Sequence, residues 1–555
     1  MRFAKNLSIL FTLIFLAFQP SFGQKNTLKP KLVVGLVLDQ MRWDYLYRYE
    51  DRFGPDGFNR LKKNGFNFEN TMITHMPTYT AVGHSTIYTG SVPSISGIIG
   101  NNWFEKSISK QMYCTSDSTV QGVGTTTLAG KMSPKNMWVT SICDELRIAQ
   151  NFRNKVIGIS LKDRGAILPA GHSANAAYWY ENGKWISSTF YMQKLPEWVE
   201  TYNAKDKVSG LMKNGWELLY PAATYIESDT DSADYEGAIV GSGVTTFPKK
   251  FSGSQGVINE ALRYTPAGNT LTLDFAKQAV QTENLGRGNA TDFLAVSLSS
   301  PDYMGHVFGP NSVEAEDMYL RLDKDIADFL KFLDQKVGAG QYLLFLSADH
   351  GAANIPGYLK KYKIPAGVFS EHGLRVSLNN QLDSIFHQKN IISDFENFQV
   401  YLNDDLIASQ NLDKNAISNF IIQQLQKQAF IINVFKTSEV ATAPIADEIK
   451  QRLVSSYNSK RSGDIMFIPK AGYFDGGPRG TTHGAWNPYD SHIPLIFYGW
   501  NVPAGKSYSQ VSMSDIAPTL ASMLRIQMPN GCVGKSLQDV MEGKGYKMPS
   551  SAKLK

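Results

Sequence analysis

Leu32-Val33-Val34-Gly35-Leu36-Val37-Leu38-Asp39 decides the fold: an uncharged apolar run closed by a carboxylate. A short, continuous, β-branched run of this kind reads as a parallel strand buried on both faces. Phe293-Leu294-Ala295-Val296-Ser297-Leu298 and Tyr342-Leu343-Leu344-Phe345-Leu346 repeat the pattern. Each is followed by side chains that bind metals, Asp302 and His306 after the first, Asp349 and His350 after the second. In open α/β sheets, ligands bind beyond the carboxyl ends of the strands. Carboxylates and imidazoles gathered there point to a site, and His483, in Gly480-Thr481-Thr482-His483-Gly484, is a further candidate.

Outward from these runs, strand signals fall at 31–38, 155–160, 292–298, 342–348, 463–468 and 493–499. Helical patterns lie between several of them. Glu314 to Val337 is the clearest, with Met318, Leu322, Ile326, Phe329, Leu330 and Leu333 at three- and four-residue spacing. Alternation of strand and helix predicts an α/β fold, a doubly wound and mostly parallel sheet flanked by helices. Residues 24–555 are read as a single domain carrying two insertions that cap the site. One spans about 166–285 and is rich in Tyr178, Trp179, Tyr180, Trp185, Tyr191, Trp198 and Trp216. The other spans about 353–480 and has helices of its own, such as Ala416 to Phe430. Loops at strand ends lengthen at modest entropic cost.

Composition narrows the class. A hydrophobic fraction of 43% and a charged fraction of 19% fit an ordinary globular chain long enough for a large core. Residues 1–23 read as a secretory signal. Arg2 and Lys5 supply its basic start, Leu7 to Phe18 an apolar stretch too short to span a bilayer, and Ser21-Phe22-Gly23 the cleavage site. Export to the periplasm is expected, with the cell surface or medium as alternatives. Losing those two basic residues takes the formal charge from +5 to +3, too small a surplus to call for nucleic acid or an anionic membrane surface. Cys114, Cys143 and Cys532 match no zinc-ligand spacing and allow at most one disulfide.

Asp39, Asp302 and Asp349 with His306, His350 and His483 mix hard oxygen with imidazole donors. That mixture suits zinc before manganese, iron or cobalt, and unlike calcium or magnesium. The set is too large for one tetrahedral ion with an open position, so two ions are expected. Asp302 and His306 are four residues apart, which one helical turn would place on one face. His75, His84, His172, His372, His387 and His492 lack comparable company.

Met76-Pro77-Thr78-Tyr79-Thr80-Ala81-Val82-Gly83-His84 reads as a turn entering a helix, with Thr80 at the N-cap. A helix N-terminus suits phosphate, and a threonine hydroxyl there can act as nucleophile. Thr78 is the rival hydroxyl. Lys162 and Arg164 follow the strand at 155–160 and point to the same edge; Arg offers a planar fork to phosphoryl oxygens and Lys a point charge. Asn101, in Gly100-Asn101-Asn102-Trp103, could donate its amide to an oxygen.

Taken together, from Lys31–Asp44 through Asp490–Ile496, these residues resemble the alkaline phosphatase superfamily, most nearly the PafA-type bacterial phosphatases with a threonine nucleophile. The resemblance implies two Zn2+ ions, one held by Asp302, His306 and His483, the other by Asp39, Asp349, His350 and the Thr80 oxygen. It favours Thr80 over Thr78. It implies that Asn101, Lys162 and Arg164 contact the non-bridging phosphoryl oxygens. The function so implied is hydrolysis of small phosphate monoesters through a phosphothreonine, by a monomer of broad specificity. Two added cations suit the dianionic monoester; a diester, with one oxygen masked, needs neither. Phosphodiesterase or nucleotide pyrophosphatase is the nearest alternative. A sulfatase would need a Cys/Ser-x-Pro-x-Arg motif, which Ser91-Val92-Pro93-Ser94-Ile95 lacks. The rival outside catalysis is a binding protein whose aromatic cap grips an extracellular polymer.

Overall fold

The strands expected from the apolar runs lie side by side in the computed structural model, which describes residues 29–543. The signal sequence read at 1–23 lies outside the described residues. The main sheet contains β1 (Leu32–Leu38), β2 (Phe66–Met72), β3 (Gly122–Val123), β4 (Val156–Ser160), β5 (Ala176–Glu181), β6 (Lys184–Ser188), β7 (Asp292–Leu298), β8 (Tyr342–Ser347), β9 (His492–Ile493), β10 (Leu495–Gly499) and β11 (Gly505–Ser512). Their order is β9-β2-β10-β8-β1-β7-β4-β5-β6-β3, with β11 alongside β2. The five central strands, β8, β1, β7, β4 and β5, run parallel. Helices flank them, as expected for an α/β fold.

Register aligns the ends. Val37 lies opposite both Ser297 and Ser347, and Leu38 opposite Leu298. The segments that follow β1, β7 and β8 therefore leave the sheet at one level. Every residue of these three strands is buried. Gly35 makes room for neighbours across β1, because a Cβ there would lie 2.7 Å from the Phe345 ring and against the Tyr88 hydroxyl.

Three expectations are corrected. The segment read as a first cap begins and ends inside the core. β5 and β6 belong to the main sheet, and the helix Pro266–Thr282 packs on it, with Phe275 stacked on Trp185 at 4.3 Å. Tyr178, Trp179 and Trp185 are buried, so the aromatic surface invoked for polymer binding is interior packing. The strand expected at 463–468 joins a separate four-stranded antiparallel sheet, formed by Ile392–Glu396, Gln399–Leu402, Ile465–Pro469 and Ile431–Lys436, with its own apolar core. Met76 enters that second core, and its N–H donates to Ser456 Oγ at 2.9 Å, which seats the added sheet on the loop before Thr80. The helix expected at 314–337 runs Val313–Leu333 and closes with a wider turn at 334–338. All three cysteines are free. Among the described residues, no helix is long and apolar enough to cross a membrane.

Candidate metal centre and nucleophile

Six side chains converge at the carboxyl edge of the parallel strands. Asp39 leaves β1, Asp349 and His350 leave β8, and Asp302 and His306 occupy successive turns of the helix Ser300–Phe308 after β7. His483 arrives on a loop tied down by its neighbours: Thr481 N–H donates to His306 O, and Ala485 N–H to Asp490 Oδ2 at 2.9 Å. They form two groups, Asp302 with His306 and His483, and Asp39 with Asp349 and His350; within each, the ligand atoms lie within 4.8 Å of one another. The groups adjoin, since the His350 and His483 rings stack at 3.5 Å.

All three imidazoles are oriented alike. Nδ1–H donates to a backbone carbonyl in each: His306 to Thr481 at 2.9 Å, His350 to Gly351 at 3.0 Å, and His483 to Thr78 at 2.7 Å. That bond fixes the tautomer and leaves Nε2 as the lone-pair atom. Each Nε2 faces carboxylate oxygens. For His306 and His483 the partner is Asp302 Oδ1, at 3.2 and 3.5 Å. For His350 the partners are Asp39 Oδ1 and Asp349 Oδ2, both at 3.4 Å. Those last two oxygens are buried and receive no hydrogen bond. Three lone-pair atoms converging in a buried space are costly unless a cation satisfies them, so the donor set fits a metal.

Electrostatics agree. Burial, with the charges of Asp302 and Asp349, pushes the Asp39 carboxyl well above its usual range. Burial also acts upward on Asp302 and Asp349. It is outweighed by His306 and Lys162 at the first and by His350 and His84 at the second, so both stay low and ionised. Burial lowers His350 to about 3 and lowers His483, keeping both imidazoles neutral. Burial acts downward on His306 too, but the Asp302 carboxylate raises it on balance. Asp39 and Asp302 share one ammonium, Lys162, and Asp349 faces imidazoles, so the upward push on Asp39 marks carboxylates crowded together that a bound cation would relieve.

Thr80 opens the helix Thr80–Thr89, and its hydroxyl lies 3.4 Å from His350 Nε2. Tyr79, rather than Thr80, occupies the cap position. Thr78 is differently engaged: its hydroxyl donates to Ala485 O at 2.9 Å and accepts from Gly484 N at 3.1 Å, clamping the His483 loop. Asn101 Oδ1 accepts the Ala81 N–H at 2.9 Å, which directs its amide NH2 away from the helix end. Lys162, 3% exposed, bridges the two groups, donating to Asp39 Oδ2 at 2.7 Å and to Asp302 Oδ2. Arg164 Nη1 donates to the Tyr113 hydroxyl at 3.0 Å, while its Nε is buried without a partner.

Two residues not singled out from sequence belong here. His84, one turn after Thr80, directs Nδ1 to Thr80 O at 2.9 Å and lies 3.2 Å from Asp349 Oδ2, with Nε2 paired to Ser297 Oγ at 2.8 Å. Its four-residue spacing from Thr80 was the available signal. Gln40 touches both groups, its N–H donating to Asp349 Oδ1 and its Nε2 to Asp302 Oδ1. Nothing in its sequence position marks it beyond following Asp39.

A site of this kind, acidic and imidazole groups beside a hydroxyl at the edge of a parallel sheet, defines a metal-dependent phosphoryl-transfer class. A family model described as type I phosphodiesterase / nucleotide pyrophosphatase matches residues 33–490, and the chain belongs to that family within the alkaline phosphatase superfamily. The chain is 49% identical over 523 residues to a Myroides odoratus protein named calcium-transporting ATPase, covering 93% of this chain and 95% of that one. It is 47% identical over 522 residues to alkaline phosphatase PafA of Elizabethkingia meningoseptica, covering 92% and 95%. The crystal structure of wild-type alkaline phosphatase PafA matches with a TM-score of 0.89 at 46% identity, covering 92% of this chain and 99% of that one.

Proposed function

We propose that this chain is an alkaline phosphatase that hydrolyses small phosphate monoesters through a phosphothreonine at Thr80. The observation that carries the reading is the Thr80 hydroxyl lying 3.4 Å from His350, against two three-residue ligand groups. Asp302, His306 and His483 would hold one Zn2+, and Asp39, Asp349 and His350 the other. Bound there, the pair supplies the positive charge that stabilises attacking and leaving oxygens in phosphoryl transfer.

The chain's own groups do the rest. The helix opening at Thr80 presents free N–H groups and a partial positive charge to the phosphoryl group. Thr80 Oγ forms a bond to phosphorus as the bond to the leaving oxygen breaks, and the leaving alcohol takes a proton. Water then attacks the phosphothreonine, releasing inorganic phosphate and restoring the hydroxyl. Loose phosphoryl transition states leave positioning and charge stabilisation as the protein's main tasks. Arg164, with an unpartnered Nε, and the Asn101 amide are the groups free to take non-bridging oxygens. Lys162 stands between both ligand groups and contributes its charge to the same place.

The family's description makes a phosphodiesterase the second reading; two cations beyond the metal ligands weigh against it. The proposal includes export to the periplasm and a monomeric enzyme. Elemental analysis together with turnover of an aryl phosphate and the matching diester tests it. Two metal equivalents, chelator-sensitive turnover and preference for the monoester are expected. Metal-independent turnover, or preference for the diester, would overturn it.

A further inference from the structure

Gln40 directly follows Asp39 and has a φ of 65°, a backbone region that costs side-chain-bearing residues energy. Such strain persists only where the surroundings over-determine it, and it collects at functional sites. The surroundings here are specific. Gln40 is 4% exposed. Its backbone N–H donates to Asp349 Oδ1 at 3.1 Å, and its side-chain Nε2 to Asp302 Oδ1 at 2.7 Å. Asp349 and Asp302 belong to different ligand groups, and one residue thus spans the centre. Asp349 Oδ1 also accepts the His350 N–H at 3.0 Å, which turns Oδ2 toward the imidazoles.

Room for the amide comes from Gly305, on the helix that carries Asp302 and His306. A Cβ there would lie 2.9 Å from Gln40 Cδ and closer still to Oε1. Strained backbone, buried amide and missing side chain opposite make one fitted arrangement.

Resting on the two-metal reading above, we propose that Gln40 is a positioning residue that holds Asp302 at a set distance from Asp349. It thereby fixes the separation of the two cations and the retention of the one bound by Asp302, His306 and His483. Hydrogen bonds to ligand carboxylates orient them, and losing such a partner typically weakens metal binding about 10–100-fold.

Zinc is the probe, read as equivalents retained in a chelator titration beside the thermal midpoint of the metal-free protein. Gln40→Gly keeps the backbone donor, relieves the positive φ and removes the side chain that carries the amide. The metal-free midpoint should be unchanged or higher. One of two zinc equivalents should leave at roughly 10–100-fold lower chelator, and the other should stay. Gly305→Ala, by displacing the amide, should reproduce the loss in the wild-type background and add nothing to Gln40→Gly. Wild-type protein holding two equivalents, with Gln40→Gly holding both as tightly, overturns the proposal. Wild-type protein that binds no zinc overturns the two-metal reading instead.

Discussion

Gly83→Ala is the smallest change that tests how the nucleophile is placed. Gly83 lies three residues after Thr80 on the same helix and packs on the backbone of Asp349. An added Cβ would lie 2.7 Å from the Asp349 Cβ and 2.8 Å from its carbonyl carbon, where ordinary contacts begin near 3.4 Å. Asp349 lies two residues beyond the fully buried β8, and the contact is with its backbone and Cβ, so no flexible side chain can move aside. The helix has to retreat by something near 1 Å, carrying Thr80 away from His350. A misplacement of that size costs on the order of 10²-fold in rate, about 2.7 kcal/mol of barrier. Overpacking costs roughly 1–3 kcal/mol of stability, of which better helix propensity returns up to about 1 kcal/mol. Activity should therefore suffer far more than folding. The assay is steady-state hydrolysis of an aryl phosphate, with thermal midpoint and metal content measured on the same preparation. Gly210→Ala, where a Cβ meets nothing within 4 Å, is the control. A kcat lowered about 100-fold with both metals retained is the expected result. Gly83→Ala enzyme within about 3-fold of wild type would show that this contact does not place Thr80.

Thr80→Ala should lower turnover by several orders of magnitude and abolish the acid-trapped phosphoprotein, whereas Thr78→Val should keep the phosphoprotein; phosphate mapped to residue 78 would reverse the assignment. Lys162→Ala and Arg164→Ala should each lower monoester kcat/KM by roughly 10–100-fold, the worth of a charge-assisted hydrogen bond, and diester kcat/KM much less; equal losses would remove the argument for monoesters. Stripping metal should lower the thermal midpoint as well as activity, because three buried carboxylates, Asp39, Asp302 and Asp349, then lie together with Lys162, which pairs with Asp39 and Asp302, and neighbouring imidazoles as their partners; calorimetry with and without chelator reads this, and an unchanged midpoint counts against it. Burial and the Glu314 carboxylate push the Glu236 carboxyl up to about 9 from 4.5. Its ionisation is resisted in the folded state, so stability falls as pH rises between those values. Glu236→Gln should raise the midpoint at pH 9 and leave it almost unmoved at pH 4, and equal shifts at both would refute the linkage.

Most of the side chains that converge as candidate ligands were conspicuous in the sequence because they follow apolar runs, whereas His483, in a Gly-Thr-Thr-His-Gly loop, was only a further candidate. Asp39 after β1 and Asp349-His350 after β8 stand where burial makes an unpaired charge costly, so their presence already implied a compensating partner. The parallel core was legible for the same reason in reverse: β1, β7 and β8 tolerate no polar face. The aromatic stretch around Tyr178–Trp185 misled because its strands carry bulky residues in an uneven pattern, bounded by Gly and Asn turns. Aromatic enrichment does not distinguish a polymer-gripping surface from strands packed by Phe275. Strand Ile465–Pro469 had the right local character, but local character does not say which sheet a strand joins.

What stayed hidden has one cause. Gln40, Gly83 and His84 make contacts whose partners lie far along the chain: Gln40 with Asp302, Gly83 with Asp349, and His84 with Ser297. Periodicity tells which face a residue turns inward, not which element meets it there. A glycine gives no positive signal for close approach, since the same letter marks turns, caps and open loops. An amide after a ligand aspartate reads as an ordinary polar residue until its φ of 65° and its reach to Asp302 are known. The candidate ligands are carboxylates and imidazoles and so announce the centre, whereas an amide or a glycine beside them does not. Substitutions at these positions should accordingly alter metal retention, as at Gln40 and Gly305, or rate, as at Gly83, without changing the fold, which separates them from the buried apolar residues around them.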